Sequence, residues 1–148
     1  MGVAELRECA VSKRQDLVGG EKPVITVGTA TCGRAAGAME VLAAFERELK
    51  QQNVEASLVP VGCMGMCYAE PLVTVSKPGG FRICYHNVTE MDVARLVQGY
   101  LVNDDPCLDL ALGTVEGGGG EPLRIPELPR FEHEQRLILR NCGEINPE

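Results

Sequence analysis

The chain has 148 residues, 45% of them hydrophobic, which suits one globular domain with a real core and some extension. Its formal net charge of −7 argues against a phosphate backbone or an anionic membrane as partner, so no nucleic acid is expected. No apolar run approaches the roughly 20 residues needed to cross a bilayer, so no transmembrane segment is expected.

The first residues, MGVAELRECAVSKRQDL, are polar and charged and do not resemble a secretion signal. The expected location is therefore a reducing cytoplasm. There, the seven cysteines point to metal or redox chemistry rather than structural disulfides. Residues 1–22 read as a charged lead-in with helical character, broken at Gly19-Gly20. Pro23 to Val27 is rich in β-branched residues and predicts a short buried strand. A loop from Gly28 to Gly33 comes after it. Next is a helix of about Arg34 to Gln52, with Ala38, Met39, Leu42, Phe45 and Leu49 on one face. Val54 to Val61 predicts a second strand, Leu72 to Ser76 a third and Phe81 to Tyr85 a fourth. The turn Lys77-Pro78-Gly79-Gly80 makes the last two a hairpin. Thr89 caps a final helix carrying Val93, Leu96, Val97, Tyr100 and Leu101, which Asp104-Asp105-Pro106 stops.

A strand–helix–strand unit favours parallel pairing through a right-handed crossover, and the hairpin is antiparallel. The expectation is an α/β fold: a thioredoxin-like mixed sheet of about four strands with flanking helices, plus an extended C-terminal tail. That domain is expected over residues 23–103. Residues 104–130 read as a linker, because Gly117–Gly120 is flexible and Pro122, Pro126 and Pro129 stiffen the stretch beyond it. Phe131 to Asn141 predicts one short helix, too short to be stable alone and expected to dock.

The chemistry concentrates in three cysteines. Cys32 lies after the first strand at the start of the first helix, where free N–H groups and the helix dipole favour a thiolate. Cys63 and Cys67 lie in VGCMGMCYAEPLV, between strands two and three, at the same end of the sheet. Gly62 and Gly65 let the backbone approach a bulky centre. Three readings stay open on the residues alone. Thiolates could bind an iron–sulfur cluster. Cys63, Cys67, Cys84 and His86 could bind zinc. The cysteines could also be small buried core residues. The segment GTATCGRA (Gly28 to Ala35) nearly fits a phosphate-binding loop, but Arg34 and Ala35 stand where lysine and a hydroxyl are required, so nucleotide binding is not expected.

VGTATCGRAAGA (Val27 to Ala38) and VGCMGMCYAEPLVTV (Val61 to Val75) resemble the two halves of the thioredoxin-like [2Fe-2S] ferredoxin signature. The whole chain is similar to the N-terminal part of the NADH-binding flavoprotein subunit of complex I-like assemblies, among them NAD(P)-linked hydrogenases and formate dehydrogenases. FEHEQRLILRNCGEINPE (Phe131 to Glu148) looks like the segment leading into their flavin domain. The resemblance implies an electron-transfer domain whose [2Fe-2S] cluster is held by Cys32, Cys63 and Cys67, with other subunits of a multisubunit redox complex as partners. It implies no FMN or NAD site here, and no dehydrogenase activity of the chain alone. The family's C-x4-C would place its first cysteine at Val27. The fourth ligand then falls to another group, such as Thr29, Thr31 or Cys84. The alternative is a cluster-free docking domain that kept the fold.

Overall fold

The computed structural model describes residues 2–116, 124–138 and 140–145. The run Gly117–Gly120 and Pro122 lie outside them. Helix α1 (Val3–Gly19) leads in and stops at Gly20, whose backbone is extended. Strand β1 (Val24–Gly28) is buried along its whole length. The single helix expected after it is two: α2 (Thr31–Ala35) and α3 (Ala38–Gln51). Gly37 separates them at φ 101°, a left-handed conformation that glycine adopts without a Cβ clash. The helical turn thus begins before Cys32 rather than after it.

Strand β2 is shorter than expected, Ser57–Val61; Asn53 turns the chain at φ 53° before it. Strands β3 (Val73–Ser76) and β4 (Arg82–Tyr85) form the expected hairpin, closed by a bond from Gly80 N–H to the Lys77 carbonyl. Helix α4 (Glu90–Leu96) starts at Thr89 in a capping box with Asp92 and runs on as one wide turn to Val102. A fifth strand, β5 (Ala111–Glu116), comes from the stretch read as linker and pairs with β4. The sheet therefore has five strands, in the order β2-β1-β3-β4-β5, and continues past residue 103. β1 and β2 are parallel; the other neighbours are antiparallel.

Side chains alternate across a strand, so the sheet has two distinct faces. Ile25, Val27, Val73, Val75, Ile83 and Tyr85 face α3 and α4 and pack on Val41, Phe45, Val93 and Leu96. Each such side chain, fully buried, contributes about 1.5–3 kcal/mol. A second cluster joins Met66, Ala69, Leu72, Cys84 and Ile125, with Leu128 and Phe131 against it. Here the tail departs from expectation. Among the described residues, 131–141 form no helix; short 3-10 turns end at Phe131 and the rest is coil and turn. Its side chains bind loop carbonyls instead, and those tertiary bonds outweigh a helix too short to persist.

Candidate metal centre

The loop between β2 and β3 carries Cys63 and Cys67. Their sulfurs stand 3.9 Å apart, and both thiols are free. Two thiolates about 2.3 Å from one tetrahedral metal ion lie about 3.8 Å from each other, so this pair is spaced for a shared metal. Gly65, at φ 93°, turns the loop so that its N–H donates to the Cys63 sulfur at 3.2 Å. Burial pushes the Cys63 thiol up, the Gly65 N–H opposes this, and the neighbouring Cys67 and Glu70 add to the rise.

Cys32 is the second residue of α2 and is exposed. The turn before it is pinned twice: Thr29 N–H donates to the Val61 carbonyl at 2.9 Å, and the Arg34 side chain donates to the Thr29 carbonyl at 2.8 Å. Gly33 lies so close to the end of β1 that a Cβ there would collide with the Gly28 carbonyl. The Cys32 turn and the Cys63–Cys67 loop thus sit at the same end of the sheet. They do not form a single-ion cage: among the described residues no three His, Cys, Asp or Glu side chains converge on one ion position.

That corrects the zinc reading. Cys84 is fully buried in β4 on the second face of the sheet, and burial pushes its thiol up to about 11. His86 is engaged elsewhere, its ring nitrogen 3.0 Å from the Asn87 side chain. The cysteine position of the C-x4-C pattern is also placed. Val27 is fully buried in the helix-side core, packed among apolar residues. Of the substitutes for a fourth ligand, Cys84 is a buried, protonated thiol and Thr29 is buried with its hydroxyl toward the Val61 carbonyl. Thr31 is exposed.

Glu70 was missed by sequence reasoning. It is only 6% exposed, and its Oε2 accepts the Leu72 N–H at 2.9 Å. Its Oε1 is buried without a hydrogen-bond partner among the described residues. Burial raises its pKa; the Leu72 N–H and the nearby Cys63 thiol counter the rise. The signal was present in the sequence as one acid inside the apolar run YAEPLV.

The tail closes over the same loop. Arg130 donates to the Gly65 carbonyl and Arg136 to the Met64 carbonyl, both at 2.6 Å. Gly62 N–H donates to the Ile145 carbonyl at 3.3 Å. Arg130 also stacks over the Tyr68 and Phe131 rings.

A thiol pair on a thioredoxin-like sheet defines the class of protein, and comparison with known proteins agrees. The fold matches the crystal structure of a thioredoxin-like [2Fe-2S] ferredoxin from Aquifex aeolicus at TM-score 0.53 and 25% identity, over 63% of this chain and 98% of that one. A second structure of such a ferredoxin from the same organism matches at TM-score 0.55 and 22% identity, over 68% of this chain and 98% of that one. No protein-family model matches. In sequence, the chain is 30% identical over 101 residues to the NADP-reducing hydrogenase subunit HndB of Solidesulfovibrio fructosivorans, covering 64% of this chain and 80% of that subunit. The chain belongs to the family of that hydrogenase subunit. No described helix is long and apolar enough to cross a membrane.

The donor set fits a [2Fe-2S] group in kind. Such a cluster takes two protein donors on each iron. The Cys63–Cys67 pair suits one iron. Cys32 and the half-satisfied carboxyl of Glu70 lie at the neighbouring turn.

Proposed function

We propose that the chain is an electron-transfer module of a multisubunit NAD(P)H-linked oxidoreductase, holding a [2Fe-2S] cluster at Cys32, Cys63 and Cys67. The observation that carries this reading is the 3.9 Å separation of the sulfurs of the free thiols Cys63 and Cys67 on a glycine-turned loop. The hydrogenase subunit and the ferredoxins to which the chain is similar support it by name.

When bound, the cluster supplies one-electron exchange. The rest is the work of the chain. Cys63 and Cys67 hold one side, and the Gly65 N–H donates to the Cys63 sulfur, which stabilises negative charge there. Arg130 and Arg136 bring two guanidinium charges to the carbonyls between the two thiols. Met66, fully buried beside them, keeps water from the inner side of the loop. The electron donor and acceptor are other subunits of that complex, in a reducing cytoplasm.

Replacing Cys63 or Cys67 by serine tests the assignment. The visible absorption of the reconstituted protein should fall in each variant; full absorption in both would refute the ligand assignment. The second reading, a cluster-free docking domain, draws on the missing fourth cysteine at Val27. It requires that a folded variant lacking Cys32, Cys63 and Cys67 still bind the partner subunit.

A further inference from the structure

We infer that the carboxylate of Glu70 is the fourth donor of this centre, beside Cys32, Cys63 and Cys67. The inference deepens the cluster reading and rests on it.

The first observation is Glu70 itself. It is more than nine-tenths buried and lies at the same end of the sheet as the three thiols. One carboxyl oxygen is held by the Leu72 N–H, and the other has no partner among the described residues. A buried carboxyl oxygen without a hydrogen bond is costly, and isolated apolar surroundings select against it. Here the apolar alternative was not taken. A group that completes its coordination on binding explains why.

The second observation is position. A Cβ built at Gly28 would come within 2.9 Å of Glu70 Oε2 and 3.2 Å of Oε1, and one at Gly33 within 3.2 Å of Oε2. The carboxyl therefore fills the gap between the end of β1 and the turn bearing Cys32. Val27, where the signature wants its first thiol, is buried in the helix-side core. Gly28 is next in the chain, and the space a side chain at Gly28 would occupy is taken by the Glu70 carboxyl. A donor is thus delivered to the end of β1 from another part of the chain.

The third is chemistry. Carboxylate oxygen is an established donor to iron, and [2Fe-2S] centres accept non-thiolate ligands with an altered potential.

The test uses the full chain, reconstituted anaerobically with iron and sulfide, as wild type, Glu70→Gln, Glu70→Cys and Cys142→Ser. Iron and sulfide per chain, the visible spectrum and the electron paramagnetic resonance of the reduced protein are read, with far-UV circular dichroism as the fold control. Glu70→Gln should keep the fold and lose most of the iron. Glu70→Cys should keep iron and sulfide, with both spectra displaced toward those of an all-thiolate centre. Cys142→Ser, in the tail beside Met64, should match wild type. Wild-type iron content and spectra in Glu70→Gln would overturn the assignment. Should Glu70→Gln fail to fold, Glu70→Cys decides: displaced spectra support the assignment and unchanged spectra overturn it. Cluster loss in Cys142→Ser but not in Glu70→Gln would move the fourth donor to the tail and overturn it as well. A wild-type chain that takes up neither iron nor sulfide overturns the cluster reading, and the Glu70 assignment with it.

Discussion

Arg136 donates a hydrogen bond to the carbonyl of Met64 at 2.6 Å, across 72 positions of chain. Arg130 does the same to Gly65 across 65. The C-terminal segment is therefore a strap over the cysteine loop. A charged hydrogen bond at a partly exposed site contributes about 1 kcal/mol. The double substitution Arg130→Gln, Arg136→Gln should leave the sheet intact and speed amide hydrogen exchange at Gly62 to Met66. Unchanged exchange there would show that the loop holds its shape without the strap.

Gly33 lies tight against the end of β1. A methyl group there meets the Gly28 carbonyl, a backbone atom that cannot swing aside. Gly33→Ala should cost about 1–3 kcal/mol by overpacking and displace Cys32 from its turn. Chemical denaturation checks the first effect and metal uptake the second. Gly62→Ala is the control, since a Cβ there meets nothing within 4 Å.

Cys84 is expected to be silent. Burial pushes its thiol up to about 11, so it stays protonated in the native state well above the ordinary value of 9. The unfolded chain releases that proton near 9, so this group favours unfolding as the pH rises from 9 toward 11. Alkylation at pH 8 with mass spectrometry as readout should label the exposed Cys9, Cys32 and Cys67 and spare Cys84. Labelling of Cys84 at the rate of Cys67 would contradict the burial. Cys84→Ala should leave metal uptake unchanged.

The features legible in the sequence are those whose signals are local. The β-branched run Val24 to Val27, the turn at Lys77–Gly80 and the cap at Thr89 are of this kind, and each element formed near its expected place. The strand Ala111–Glu116 was read as linker because its neighbours are rich in glycine and proline; it forms because β4 offers an open edge. The tail's path depends on Arg130 and Arg136 finding carbonyls of a loop distant in sequence, which no local pattern encodes. At the site, the spacing of Cys63 and Cys67 was enough to pair them. Cys84 was open between core residue and ligand, because a thiol in a strand shows its face only once the register is known; it lies in the core. Glu70 escaped because its neighbours Gly28 and Gly33 are far away in the chain.

Glu70 carries a stability cost that pH should reveal. Burial raises its pKa, so the native state keeps this proton to higher pH than the unfolded chain does. The contribution to stability is complete below the ordinary value of 4.5 and is lost as the pH rises through the raised folded value. Glu70→Gln cannot lose a proton there. Without metal, that variant should gain stability relative to wild type as the pH rises from about 4 to about 7, measured by urea denaturation. A gap that does not change with pH would mean that the carboxyl is not desolvated.

The most direct measurement is on the wild-type chain, purified without oxygen: its visible spectrum together with its iron and acid-labile sulfide. A cluster held at Cys32, Cys63 and Cys67 predicts a brown protein with iron and sulfide in equal amounts, about two of each per chain, bleached on reduction. A colourless chain that takes up neither after reconstitution would contradict it and leave the Cys63–Cys67 loop as part of a docking domain.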